Sequence, residues 1–139
     1  MKNKFSMQVD AVLANESFIR STVANFALQL KPNVSEINDI KTAVSEAVTN
    51  AIVHGYQNNG GTIYIECQIE DNELAVTIKD NGVGIADIKK AREPFFTTKK
   101  DEERSGMGFT LMETFMDTLD VENNTGGGVV VFMTKQIIN

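Results

Sequence analysis

The sequence predicts an α+β fold: a two-layer sandwich in which helices cover one face of a mostly antiparallel, mixed sheet. Runs of alternating polar and apolar residues stand near both ends of the chain and in its middle, and stretches with helical periodicity separate them. The middle runs are close enough to form a hairpin. At 139 residues the chain fits one compact domain, which we take as residues 1–139.

The first half of the chain predicts one strand and two helices. Residues 5–11 alternate apolar and polar side chains, which indicates a strand with one buried face. Asn15 is a candidate N-cap for a first helix, which residues 31–32 (Lys-Pro) end. Ser35 can begin a long second helix that runs to about Gly55.

The second half predicts a hairpin, two further helices and a last strand. Asp71 and Asn72 join the two strands of the hairpin. The polar loop is long for so small a domain, and such loops are commonly functional. The predicted elements are strands at residues 62–70 and 73–80, a short helix at 85–91, a polar loop at 92–105, a helix with apolar positions from 109 to 119, and a strand from 129.

The composition argues against several classes of function. The formal charge of −6 argues against direct binding to nucleic acid or to an anionic membrane surface. No apolar run approaches the length of a membrane span, and residues 1–10 lack a signal-peptide core, so we expect a cytoplasmic protein. Cys67, the only cysteine, lies within an apolar alternation, which predicts a small buried residue without a disulfide.

Three polar residues spaced four apart stand on the second helix: Glu46, Asn50 and His54. They form one stripe beside an apolar face. A triphosphate beside Asn50 would bring Mg²⁺, which needs few protein ligands, so one carboxamide oxygen and phosphate oxygens would suffice. Glu46 could accept a proton from an attacking hydroxyl or orient it. For His54 we expect a structural role near the helix end.

A strand-end aspartate followed by two glycines forms the second motif, Asp80-Asn81-Gly82-Val83-Gly84. The glycines let the backbone approach a ligand, and the carboxylate can accept a hydrogen bond from it. An ordinary glycine turn is the alternative. The spacing does not match the dinucleotide-binding fingerprint, and neither a phosphate-loop motif nor the protein-kinase motifs occur.

A glycine pair at the start of a predicted helix forms the third motif, Gly106-Met107-Gly108. Free N–H groups at a helix start, with Lys99, Lys100 and Arg104 nearby, suit a phosphate. A flexible connector with solvated charges is the alternative, because residues 101–103 are acidic and partly cancel those cations.

In this order, Glu46-x-x-x-Asn50, Asp80-x-Gly82-x-Gly84 and Gly106-x-Gly108 resemble the N, G1 and G2 boxes of the GHKL superfamily. That superfamily includes gyrases, histidine kinases, mismatch-repair ATPases and a class of chaperones. The resemblance covers essentially the whole chain and implies the GHKL, or Bergerat, ATP-binding fold. The stretches EAVTNAIVHG, PFFTTK and ERSGMGF are similar to the small serine kinases that act as bacterial anti-sigma factors.

The resemblance implies a role for each motif residue. Asn50 would coordinate Mg²⁺, Glu46 would be the general base, and Asp80 would bind the adenine amine of ATP. Gly82 and Gly84 would let the chain pass close to the nucleotide, and Gly106 and Gly108 would begin the helix that cradles phosphate. Residues 95–105 would be the nucleotide lid, and the lid and helix start would add these nucleotide contacts: Thr97, Thr98, Lys99, Arg104, Ser105 and Met107.

One position departs from related domains. They often carry a threonine directly after the late glycine run, whereas Val129 follows residues 126–128 here. We therefore predict no adenine contact through a hydroxyl at this position.

The function implied is an ATP-dependent serine kinase and anti-sigma factor. It would bind and inhibit a sporulation sigma factor and phosphorylate a serine of an anti-anti-sigma protein. The first strand could also pair across a two-fold axis and give a homodimer.

Two alternatives remain open. The chain could be the isolated catalytic domain of a histidine kinase, although its only histidine stands inside the predicted Mg²⁺ helix. It could also be a nucleotide-sensing binding module without turnover, which would not require Glu46.

Overall fold

Helices pack on one face of a five-stranded sheet, as the sequence predicts. The computed structural model describes residues 1–93 and 108–138. Its elements are β1 (Lys2–Asp10), α1 (Ala14–Ala27), α2 (Val34–Asn50), β2 (Thr62–Glu70), β3 (Glu73–Lys79), α3 (Ile88–Ala91), α4 (Gly108–Phe115), β4 (Thr118–Asn123) and β5 (Val129–Gln136).

The strands lie in the order β1-β2-β3-β5-β4, and each neighbouring pair is antiparallel. Alternate residues of β2 and β3 are buried against the helices, and the residues between them face the other side of the sheet. Cys67 is one of the fully buried residues, which confirms the prediction from its alternation. Burial, with a contribution from the Glu66 carboxylate, raises the pKa of the Cys67 thiol to about 12.

The start of α1 differs from the prediction. Leu13 occupies the N-cap position and makes no side-chain capping bond, so the prediction that Asn15 caps this helix is wrong. The Asn15 side chain instead donates a hydrogen bond to the Asp10 carbonyl at 3.0 Å. Asn15 therefore ties the helix to the end of β1.

A capping box begins α2 two residues before the predicted Ser35. The Asn33 side chain accepts the backbone N–H of Glu36 at 2.7 Å, and the Glu36 side chain accepts the backbone N–H of Asn33 at 2.9 Å. The second Glu36 oxygen accepts the backbone N–H of Ile138 at 2.8 Å. One carboxylate thus joins the start of α2 to the chain that follows β5.

We expect Asn33→Ala to lower the free energy of unfolding by about 0.5–2 kcal/mol, because the first turn of α2 would lose its N-cap acceptor. Asn33→Asp keeps an acceptor of the same shape and serves as the matched control. Urea unfolding of the two variants checks this. Equal losses in both would show that the capping bond contributes little.

The segment after α4 is a strand where the sequence predicts a helix. The apolar spacing predicted that this helix continues to Leu119, but it ends at Phe115, and Thr118–Asn123 forms the edge strand β4. Leu119 is buried opposite Met133 of β5. The Lys135 ammonium donates to the Phe115 carbonyl at 2.7 Å and so satisfies the helix end.

The spacing predicts a helix here because Leu119 stands four residues after Phe115, which fits a helix as well as a strand. The strand shows only two buried positions, too few to reveal an alternation in the sequence.

The short helix predicted at residues 85–91 is reduced to α3, where the Asp87 side chain accepts the Lys90 N–H.

Across residues 1–93 and 108–138, no helix combines the length and the apolar character needed to cross a bilayer.

Candidate functional site

A cleft of about 800 Å³ opens between the C-terminal end of α2, the turn that follows β3 and the first turn of α4. Its lining brings together Asn50, Asp80, Gly84 and Gly108, which the sequence assigns to three separate motifs. The volume lies in the range of small-molecule sites in proteins. Apolar side chains supply one wall, among them Ile78, Val129 and Val131.

Asp80 is the charged residue set most deeply in this cleft. Its side chain follows β3, and the residue is only 4% exposed. One carboxylate oxygen, Oδ1, accepts the backbone N–H groups of Gly82 at 2.8 Å and Val129 at 3.3 Å. Within residues 1–93 and 108–138, no hydrogen bond reaches the other oxygen, Oδ2. That oxygen is therefore the one placed to accept a bond from a ligand.

The environment of Asp80 also changes its proton affinity. Burial raises the pKa of this carboxyl above its usual value, and the hydrogen bonds from Gly82 and Val129 oppose the increase. A buried carboxylate is costly unless it is hydrogen-bonded. A hydrogen-bond donor on a bound molecule would therefore stabilise the ionised Asp80.

Gly82 is required by packing within the protein. A Cβ at this position would lie 2.1 Å from the carbonyl oxygen of Gly55, closer than any real side chain permits. The next residue, Val83, donates its N–H to the same carbonyl at 2.9 Å. The turn after β3 is thus seated directly on the end of the second helical segment. That Gly82 also brings the backbone close to a nucleotide stays a prediction.

The second helical segment changes geometry before it ends. After Asn50 the chain forms a wider π-type turn, Ala51–Gly55, in which the Tyr56 N–H donates to the Ala51 carbonyl five residues earlier. Such turns occur frequently at functional sites. His54 lies in this turn, is half-buried and contributes to the cleft wall.

Asn50 and Glu46 have different relations to the cleft. The Asn50 carboxamide lines it, and no described residue hydrogen-bonds to that side chain. Glu46 lies one helical turn earlier, is half-buried, and is not among the cleft-lining residues that the structure describes. The assignment of Glu46 to the chemistry therefore stays a prediction.

The residues expected to form the lid and the late phosphate contacts fall in one segment. Thr97, Thr98, Lys99, Arg104, Ser105, Gly106 and Met107 lie outside the described residues. Of the third motif, the structure describes Gly108, which begins α4 and lines the cleft.

Asn123 and Asn124 are among the cleft residues that the sequence does not predict. They stand at the end of β4, which the sequence reading took for the continuation of a helix and a loop. Two consecutive asparagines before a glycine run are typical of a turn, and this signal gives no reason to expect a contact with the turn after β3.

The side chains present suit a magnesium nucleotide. Mg²⁺ prefers oxygen ligands and keeps several waters, so the Asn50 carboxamide oxygen and phosphate oxygens form an adequate set. Within the described ranges no group of three or more histidine, cysteine, aspartate or glutamate side chains could hold a metal ion. The predicted magnesium site requires no such group.

The chain matches the family model described as a histidine kinase-like ATPase domain over residues 9–135. It is 51% identical over 138 residues to an anti-sigma F factor of Bacillus licheniformis, covering 99% of this chain and 94% of that protein. An anti-sigma F factor of Clostridium acetobutylicum is 52% identical, with 98% and 95% covered. The Bacillus subtilis anti-sigma F factor is 49% identical, with 99% and 94% covered.

Solved structures share the fold at low sequence identity. The RsbU and RsbW domains of a Mycobacterium tuberculosis protein match with a TM-score of 0.69 and 18% identity, over 97% of this chain and 32% of that one. The catalytic domain of the histidine kinase ThkA matches with a TM-score of 0.60 and 18% identity, over 94% of this chain and 96% of that one.

Proposed function

Because this chain belongs to the histidine kinase-like ATPase family, we propose that it is an ATP-dependent protein kinase that also acts as an anti-sigma factor. The observation that carries the proposal is the cleft in which Asn50 and the buried Asp80 face one space. Identities of 49–54% to anti-sigma F factors, over nearly the whole of both chains, support the regulatory part.

The finer assignment concerns substrate and partners. We infer that the phosphoryl acceptor is a serine hydroxyl on an anti-anti-sigma protein, and that a sigma factor is the protein held inactive. The names of the relatives support a sigma factor as a partner. A serine acceptor is consistent with a carboxylate placed near Asn50, since a hydroxyl needs its proton removed as it attacks.

The binding roles follow from the two polar side chains of the cleft. Asp80 would accept a hydrogen bond from the exocyclic amine of adenine through Oδ2, because Oδ1 is already engaged by two backbone donors. The apolar wall beside it would contact the face of the base. Val129 lines this wall and has no hydroxyl, so its contact with the base would be apolar.

The transfer roles lie on α2. Mg²⁺, when bound at Asn50, supplies charge neutralisation for the phosphate oxygens. Glu46, one turn earlier, would take the proton from the acceptor hydroxyl and would hold the hydroxyl oxygen in line with the phosphoryl group. The N–H groups at the start of α4 would face phosphate.

Incubation of the protein with γ-labelled ATP and a cell lysate, followed by identification of the labelled residue, tests the proposal. We expect label on the serine of a small protein, and none with Asn50→Ala, in which the proposed magnesium ligand is lost. Label on a histidine would instead favour the separated histidine-kinase domain. ATP binding without transfer to any protein would favour the nucleotide-sensing module.

We further propose a homodimer formed through β1. This strand pairs with β2 on one side only, so its other edge is open among the described residues. Phe5, Met7 and Val9 on it are only partly buried. An open edge of nine residues is a ready template for a second copy.

Ser6 stands at the middle of β1 and is exposed, so across a two-fold axis two copies of Ser6 would lie close together. We expect Ser6→Lys to shift the protein towards monomer, because it places like charges opposite each other. Gln136→Lys, on an exposed position of an inner strand, is the control. Light scattering at micromolar concentration measures the mass. A wild-type monomer would contradict the proposal.

A further inference from the structure

The cleft wall that follows Gly82 has few backbone partners of its own. Residues 84–87 line the cleft but lie beyond the end of β3. Among the described residues, no backbone–backbone hydrogen bond holds Gly84, Ile85 or Ala86. The position of this wall must therefore be set by side chains.

One carboxamide satisfies both backbone groups of Ile85. Asn123 at the end of β4 accepts the Ile85 N–H at 2.8 Å and donates to the Ile85 carbonyl at 2.8 Å. The side chain thus takes the place that a neighbouring strand would occupy. Gly84 makes room for it, since a Cβ there would lie 3.0 Å from the Asn123 oxygen, and its φ of +77° suits glycine.

Side chains also hold the other end of the turn after β3, at Asn81. Asn124 donates to the Asn81 side-chain oxygen at 3.1 Å, and the Asn81 N–H donates to the Tyr56 hydroxyl at 2.7 Å. Asn123 is the last residue of β4, which pairs with β5 along its whole length, and Asn124 follows it directly.

We propose that Asn123 is a positioning residue for nucleotide binding: its carboxamide fixes the Ile85 backbone and so sets the position of the cleft wall formed by residues 84–86. The inference rests on the proposed function, in which this cleft binds ATP. Asn123 acts through Ile85, so its loss should weaken the binding of both ATP and ADP. The transfer step within the bound complex should change little.

Two variants of Asn123 test the inference. Asn123→Leu keeps the approximate shape and removes both hydrogen bonds. Asn123→Asp keeps the acceptor for the Ile85 N–H but sets a carboxylate oxygen against the Ile85 carbonyl. In both we expect the Kd for ADP and the KM for ATP to rise by about tenfold, with kcat within about twofold of wild type.

A pH series adds a readout that a loss of stability alone would not produce. The introduced carboxyl of Asn123→Asp can donate to the Ile85 carbonyl once it is protonated. Its ADP affinity, divided by that of wild type at each pH, should therefore recover as the pH is lowered from neutral towards about 4, while the ratio for Asn123→Leu stays flat. The division removes the effect of Asp80, whose own pKa is raised.

Asn72→Leu, in the turn between β2 and β3, is the matched control and should bind ADP like wild type. Circular dichroism shows whether each variant is folded, and Asn123→Ser replaces Asn123→Leu if the latter is not. Wild-type affinity in the folded Asn123 variants, or a loss confined to kcat, overturns the inference and leaves the proposed function standing. Failure of the wild-type protein to bind ADP overturns both.

Discussion

Replacing Glu46 by glutamine is expected to abolish phosphoryl transfer while ATP binding stays close to wild type. Glutamine has the shape of glutamate but cannot take the proton of the attacking hydroxyl. Loss of a general base costs about 10²–10⁴-fold in the transfer rate, so the remaining activity should lie near the limit of detection. Asn50 is unchanged in this variant, so the nucleotide should still bind.

The experiment measures labelled phosphate transferred to the substrate protein, together with ATP affinity by calorimetry. Glu73→Gln, at the exposed start of β3, makes the same chemical change away from the cleft and should transfer at the wild-type rate. If Glu46→Gln retains full transfer, Glu46 has no part in the mechanism, and the choice between a kinase and a nucleotide-sensing module must be made on other residues.

Replacing Asp80 by asparagine is expected to have two opposite effects. Nucleotide affinity should fall by about 1.5–3 kcal/mol, the contribution of a charge-assisted hydrogen bond, because Nδ2 of asparagine would face the adenine amine donor to donor. The new side chain can still accept the Gly82 and Val129 N–H groups through its oxygen, so the turn itself should persist.

Without nucleotide, Asp80→Asn should instead be more stable than the wild type at neutral pH. Because burial raises the pKa of Asp80 above 3.8, the folded protein holds this proton more firmly than the unfolded chain does. Its stabilising contribution is fully present below pH 3.8 and is lost as the pH rises through the raised value. At neutral pH the ionised carboxylate therefore destabilises the fold, and an uncharged asparagine removes that cost.

Calorimetry with ADP and thermal unfolding without nucleotide measure the two effects of Asp80→Asn. The gain in melting temperature should shrink as the pH is lowered through the raised pKa of Asp80, because the wild-type carboxyl then becomes protonated and neutral. Unchanged ADP affinity would refute the assignment of Asp80 to the base. A lower melting temperature at neutral pH would show that the carboxylate is stabilised by contacts stronger than its burial cost.

The predicted elements that were confirmed are those in which one pattern runs for many residues. The β2 alternation, from Ile63 to Ile69, follows the buried face of the sheet, and its partner β3 is fixed by a two-residue turn. The prediction that the helix continues to Leu119 was wrong because Leu119 satisfies a helical spacing as well as a strand pairing. Only its partner Met133 decides between them, and that pairing is not visible in a local pattern.

The candidate site also combines residues that the sequence predicts with one that it does not predict. Asn50 and Asp80 stand in short motifs whose chemistry can be read locally, and the structure sets both in one cleft. Asn123 makes its contacts with Ile85, which lies 38 positions away along the chain. Asparagine before a glycine run is ordinary in a turn, so nothing near it in the sequence distinguishes a residue that holds a cleft wall.

The single thiol, at Cys67 in the middle of β2, has a practical consequence. A thiol whose pKa is about 12 and which no solvent reaches cannot react with alkylating reagents while the sheet is intact. Since the chain has no other cysteine, every modification event would record an opening of the central strands. The rate of alkylation under native conditions would then report how often that part of the sheet opens, without any engineered label.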